Sequence, residues 1–183
     1  MHVWPAEGVG MTPPAYHSHN KDEWLTPPAI VHAARLVMGP IDLDPCSNSA
    51  ERPNVPAATV YTAEDDGLSR PWFGAVFQNH PYSTAEAWVR KALREVESGN
   101  ADQVIILDAA RPDTGRFHAL ARYPVAFHKG RIRFIDAATG KPGVRPTIPS
   151  AIYYLKEEIT PDDYRRFCAA FSPFCSVYRG ADA

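Results

Sequence analysis

The sequence contains no run of eighteen apolar residues, so a membrane-spanning helix is not expected to organise it. Its first stretch, MHVWPAEGVGMTPPAYHSHNK, has neither a basic start nor an apolar segment behind it, and no secretory signal is expected. Cysteine is scarce. Cys46, Cys168 and Cys175 form an odd set without a C-x-x-C pair, which argues against a disulfide framework or a zinc knuckle and fits a reducing cytoplasm. Among 7 histidines only His17 and His19 stand close together, so no pair with ligand spacing points to a metal. No internal repeat and no second domain are visible, and 183 residues suffice for one domain with a real core.

A strong net charge is also missing. The formal balance of −2 does not announce a nucleic-acid binder, but the distribution is uneven. Between Arg111 and Arg145 eight basic residues (Arg111, Arg116, Arg122, Lys129, Arg131, Arg133, Lys141, Arg145) face two acidic ones (Asp113, Asp136). That segment can meet phosphates or form an ordinary solvated face.

What is present is an alternation of strand and helix patterns. Residues 1–20 read as a flexible arm rich in turn formers, and residues 21–180 as the folded domain. In DEWLTPPAIVHAARLVMGP, Thr26 is the expected helix cap and Pro27 the first helical residue, with Ile30, Ala33, Ala34 and Val37 on one face. IDLDPCSN and ATVYT read as short strands, and AEDDGLSRPWFG as a loop. AVFQ is a buried strand, followed by a helix over STAEAWVRKALREVESGN with Ser83 or Thr84 as cap. DQVIILDAA is apolar throughout, as in a strand covered on both faces. TGRFHALAR then predicts a short helix, PVAFHKGRIRFID and SAIYYL strands, TPDDYRRFCAAF a helix capped by Thr160, and FCSVYRG a last strand. The order predicts an α/β sheet whose later strands run antiparallel. Ligands of such sheets bind at the carboxyl ends of strands, here the loops 44–48, 64–72 and 79–83.

The loop Asn79-His80-Pro81-Tyr82 carries the most specific chemistry. An exocyclic amine on a flat ring is a poor nucleophile because its lone pair is delocalised. Two acceptors aimed at its two hydrogens, the Asn79 side-chain oxygen and the carbonyl of residue 80, favour a more pyramidal and more reactive nitrogen. Pro81 holds residue 80 extended, so its carbonyl stays in place. Tyr82 offers a face for the ring, worth roughly 1–3 kcal/mol per stacked base. Asn-x-Pro-Tyr is also ordinary turn chemistry, and only its company distinguishes the two readings.

That company is DEWLTPP, IDLDPCSNSAE, TAEDDGLSRPWFGAVFQNHPY, AWVRKAL and GRIRFIDAATGKPGVRPTIPSAIYYL, in this order. Over about residues 20–178 the set resembles the phage-encoded, Dam-like DNA N6-adenine methyltransferases. The resemblance implies a single-domain, Rossmann-like fold with a mixed sheet, S-adenosylmethionine as methyl donor, a flipped adenine in double-stranded DNA as acceptor, and a bacterial cytoplasm as the setting. It places Thr26 and Pro27 against the cofactor, Asp44 and Pro45 near its methionine part, and Asp65 and Asp66 on the cofactor side. The family usually reads Asn-Pro-Pro-Tyr, so His80 is a departure that replaces a rigid residue by a titratable one.

Lys129, Arg131 and Arg133 alternate with Ile132 and Phe134, which would put the three cations on one face for phosphate contact. Arg111 and Asp113 follow a strand at the same edge and are further candidates for DNA. Two other readings remain open: a cofactor-binding but catalytically weak DNA-binding or decoy protein, and an amine methyltransferase acting on a protein glutamine. Recognition sequence and oligomeric state are not legible.

Overall fold

In the computed structural model, residues 24–137, 139–143 and 146–181 are described, so the expected arm over residues 1–20 lies outside them. The elements are β1 (Trp24–Leu25), α1 (Pro28–Met38), β2 (Ile41–Asp44), β3 (Ala57–Val60), β4 (Gly74–Gln78), α2 (Ala85–Glu97) and β5 (Ala101–Ala109). They continue with α3 (Gly115–Leu120), β6 (Val125–His128), β7 (Ile135–Asp136), β8 (Ser150–Leu155), α4 (Pro161–Phe171) and β9 (Cys175–Tyr178).

Seven strands make one sheet in the order β3-β2-β4-β5-β8-β6-β9. β3, β2, β4 and β5 run parallel, and β8 is antiparallel to both β5 and β6, as is β9 to β6. The expected mixed α/β sheet is therefore borne out. Side-chain alternation along β5 divides the core. Ile105 and Leu107 join α1 and α4 on one face, whereas Val104 and Ile106 join α2 on the other. The same division runs through β8, with Ile152 and Tyr154 on the first side and Ala151, Tyr153 and Leu155 on the second. Capping chemistry is as expected at α4, where the Thr160 hydroxyl accepts from the Asp163 amide and the Asp163 carboxylate accepts from the Thr160 amide.

Three local expectations need correction. Thr26 does not cap α1. Two prolines stand in succession, and Pro28 forces Pro27 into extended geometry (φ −58°, ψ 138°), so the helix starts one residue later with Pro28 as its first residue. The Thr26 side chain is thereby released for another partner. The long strand expected over 124–136 stops at His128, because Gly130 turns the chain at φ +84°. Residues 131–134 then run outside any strand, and β7 pairs instead with β1, Trp24 opposite Asp136 and Leu25 opposite Ile135. Finally, a single 3-10 turn over Tyr82–Thr84 precedes α2, and neither Ser83 nor Thr84 caps the helix with its side chain.

β3 lies on one side of β2 and β4 on the other, so the connections reverse direction at β2. The crevice beyond the carboxyl ends of β2 and β4 is where the topology places a ligand. Among the described residues no helix is long and apolar enough to cross a membrane.

Candidate active site

Asn79 follows the last residue of β4 and is half-buried. Its Nδ2 donates to Thr26 Oγ1 at 3.0 Å, and the Thr26 amide donates to Asn54 Oδ1 at 2.7 Å. Thr26 itself is 1% exposed, a fixed post rather than a mobile one. With the amide nitrogen donating one hydrogen to Thr26, the Asn79 oxygen stays open to accept from a ligand. An amide turned the other way would present a donor where the chemistry needs an acceptor.

Pro81 sits at φ −59° and ψ 128°, and Tyr82 opens the 3-10 turn with 40% of its surface exposed. Burial of its hydroxyl, with the nearby Asp108 charge, pushes the Tyr82 phenol up to about 12. The ring thus presents surface to solvent while its hydroxyl stays protonated.

The neighbouring loop leaves β2 at Asp44. Asp44 is 4% exposed, its Oδ1 accepts from the Cys46 amide at 3.1 Å, and no Lys or Arg pairs with it among the described residues. Burial pushes its carboxyl up to about 7, against the pull of hydrogen bonds from Cys46 and Ser47. A buried carboxylate without a cation is an unfilled demand. Burial and the Asp44 charge also push the Cys46 thiol well above its ordinary value, and that thiol faces the Asn79 backbone, so the two loops touch. The Asp44 carbonyl accepts from the Tyr61 amide and the Tyr61 carbonyl from the Ser47 amide, lacing β3 to the same edge.

Pro45 marks where the third loop closes on the site: a Cβ on Gly67 would come within 1.9 Å of the Pro45 carbonyl oxygen, so only glycine fits. Trp72 secures this loop by donating its indole N–H to the Gly67 carbonyl at 2.8 Å and stacking near Trp88. Within the loop the two acidic residues have separate jobs. Asp65 accepts from the Thr62 amide and hydroxyl at 2.9 Å, which holds its carboxyl below the ordinary range. Asp66 is exposed, in the left-handed region at φ +54°, and its carbonyl receives the Ser69 and Arg70 amides. Asp65 shapes the loop, and Asp66 is the carboxylate left free to meet a ligand.

Thr26, Asn79, Asp44 and Pro45 are thus brought together at one edge, with Tyr82 beside them. Arg111 is gripped by Asp113 through two nitrogens, at 3.1 and 2.8 Å. Lys129, Arg131 and Arg133 are exposed while Ile132 and Phe134 are 1% and 6% exposed, so the expected division of faces holds even without a strand there. The Lys129 ammonium donates to the Ser172 carbonyl at 3.2 Å.

Sequence reasoning missed Asp108 and Arg116. Asp108 ends the apolar run of β5, is 1% exposed, and its Oδ2 accepts from Arg116 Nε at 2.8 Å. A charge closing an otherwise apolar strand was the available signal. Among the described residues no three His, Cys, Asp or Glu side chains are gathered as a metal would require.

A family description, DNA N-6-adenine-methyltransferase (Dam), matches residues 15–166. The chain belongs to this family. No curated protein matches the chain. Two solved structures are similar at low identity. One is a candidate RNA methyltransferase from Pyrococcus horikoshii, at 18% identity and TM-score 0.36, over 56% of this chain and 51% of that one. The other is the 23S rRNA methyltransferase ErmE, at 17% identity and TM-score 0.42, over 75% of this chain and 71% of that one. The chain therefore spans about half the length of the first of these structures.

Proposed function

We propose that this protein methylates the N6 amine of an adenine flipped out of double-stranded DNA, using S-adenosylmethionine. The observation that carries the reading is the Asn79 amide, bonded to Thr26 through its nitrogen with its oxygen open to accept, beside the exposed ring of Tyr82. Bound in the crevice, the cofactor would supply a methyl group on a sulfonium, reactive enough to be attacked by a neutral amine.

The chain's own residues do the rest. Asn79 Oδ1 and the carbonyl of His80 accept the two amine hydrogens and localise the nitrogen lone pair, Pro81 holds that carbonyl, and Tyr82 stacks on the base. The proton lost after transfer passes to solvent, so no strong base is required. Asp44 fits the group: its buried, unpaired carboxylate suits the ammonium of a methionine moiety. Thr26 and Pro27, with Pro45, Asp65 and Asp66, line the cofactor side. Thr26 acts there through Asn79, and Asp65 through the loop it ties.

Lys129, Arg131 and Arg133 serve as phosphate contacts, with Arg111 reaching DNA only if it leaves Asp113. The link to catalysis is short, since β7 beyond these cations pairs with β1, whose next residue is Thr26. DNA implies a cytoplasmic setting, and a phage or prophage origin accords with the resemblance. Replacing Arg131 and Arg133 by Ala together lowers DNA affinity, and the slope of log affinity against log salt becomes shallower by about 2. An unchanged slope would place the phosphates elsewhere.

Thr26→Val removes the acceptor of the Asn79 amide at little change in volume. Its kcat falls about tenfold with cofactor affinity retained, and Thr26→Ser recovers most of the rate. Equal loss in both variants would make Thr26 a packing residue only. To separate acceptors, methyl transfer from tritiated donor is compared on duplex DNA and on cell protein. Label in DNA is expected, and label in protein alone supports the glutamine reading instead.

A further inference from the structure

The residue that departs from the family pattern is the best anchored in the loop. The His80 side chain has 0% of its surface exposed, so its ring reaches neither solvent nor a base in the crevice. Its Nδ1 lies 2.6 Å from Gln78 Nε2, and its Nε2 lies 3.4 Å from Asp108 Oδ1. Asp108 is in turn held on both oxygens. Its Oδ1 accepts from the Ala109 amide at 2.7 Å and its Oδ2 from Arg116 Nε at 2.8 Å.

The register explains why this pair exists. β4 and β5 are parallel, with Phe77 opposite Ile105 and Gln78 opposite Ile106, where the pairing ends. Two residues further, in the same register, stand His80 and Asp108. The backbone ladder cannot extend through Pro81, which has no N–H. The His80–Asp108 contact continues the pairing by side chains where main-chain bonds stop.

We propose, building on the reading above, that the imidazole of His80 is a positioning group: clasped between Gln78 and Asp108, it fixes its own backbone carbonyl, the second acceptor of the target amine. Asp108 and Arg116 are positioning residues of the same device. The clasp replaces the stiffness that a proline at this position would give. With Nδ1 accepting from Gln78, the ring turns Nε2 toward Asp108 at ion-pair distance, without the geometry of a hydrogen bond. The charged group facing it is Asp108 from β5, and around Asp108 stand Arg116 from α3 and the Tyr82 and Tyr153 hydroxyls, which both sense the Asp108 charge. The fold holds Asp108 ionised: burial opposes this, but His80 and Arg116 together keep its carboxyl below the ordinary range.

The test is a double-mutant cycle on the full chain, with wild-type turnover on duplex DNA as the control for the underlying reading. Asp108→Asn lowers kcat at least tenfold in the wild-type background, with cofactor Kd within twofold. In the His80→Ala background the same change costs less than twofold, because the loop no longer has a partner on β5. A purely structural Asp108 costs the same in both backgrounds, and that result overturns the proposal. His80→Gln, whose amide can reach Asp108, keeps more than half of the rate and serves if the alanine variant does not fold. Amide hydrogen exchange reads the clasp without activity: Asp108→Asn speeds exchange at His80 and Tyr82 at least tenfold while α4 is unchanged. Unchanged exchange at both amides sinks the clasp even if the wild type proves inactive on DNA.

Discussion

Asn79→Ala lowers kcat for methyl transfer to duplex DNA by about 10²–10³-fold and leaves cofactor binding within twofold. The magnitude is that of deleting one preorganised hydrogen-bonding group from a site where charge develops in the transition state. The selectivity follows from position: Asn79 bonds Thr26 at 3.0 Å, whereas the carboxylate suited to the cofactor is Asp44 on the adjacent loop. Removing the amide leaves Thr26 tied to Asn54 and Asp44 tied to the Cys46 amide, so the crevice keeps its shape. Steady-state kinetics beside calorimetry with S-adenosylmethionine check both halves. A variant with unchanged rate would put the reacting amine somewhere other than this loop.

Asp44→Asn moves stability and binding in opposite directions. Asp44 titrates at about 7 in the fold because burial disfavours its charge, against 3.8 for the ordinary side chain. As pH rises above the ordinary value the unfolded chain ionises first. The fold therefore loses stability between those two values, and the loss is complete above the higher one. A shift of this size is worth on the order of 4 kcal/mol. Asn keeps the acceptor for the Cys46 amide without the buried charge, so at pH 8 the variant melts at least about 5 °C higher than the wild type. Its cofactor affinity falls at least tenfold, because the ammonium loses its counter-charge.

Binding to the wild type also reports the titration. If only ionised Asp44 takes the ammonium, affinity tightens by roughly eightfold from pH 6 to 7.5, in step with the ionised fraction. The variant's affinity is flat over that window. Calorimetry in buffers of different ionisation enthalpy would detect the released proton. Equal pH dependence in both proteins would remove Asp44 from the cofactor's ammonium.

The strands and helices were legible because apolar periodicity and stop signals agreed along the chain. VIILDAA read as a strand covered on both faces, and β5 has that place at the centre of the sheet. The errors were local and have physical causes. A run of two prolines moved the start of α1 by one residue, and Gly130 ended a strand that the alternating sequence pattern prolongs. Within the candidate site, the order of motifs singled out Asn79 and Asp44. It could not show that the Thr26 hydroxyl, freed from capping, is the partner of the Asn79 amide, nor that Asp65 is consumed inside its own loop. Asp108 was missed because its role depends on register: nothing in VIILDAA says that its acid stands two residues beyond the last pair, opposite His80. Contacts between residues distant in the chain decide which carboxylates are free, and those are what a linear pattern does not carry.

The most direct test of the account is nucleoside analysis by mass spectrometry of purified duplex DNA after incubation with the protein and S-adenosylmethionine, run beside Asn79→Ala. N6-methyladenine in the wild-type reaction and at least a hundredfold less in the variant is the predicted result. DNA free of N6-methyladenine from a folded wild-type protein that binds the cofactor, or equal amounts from both proteins, would contradict it.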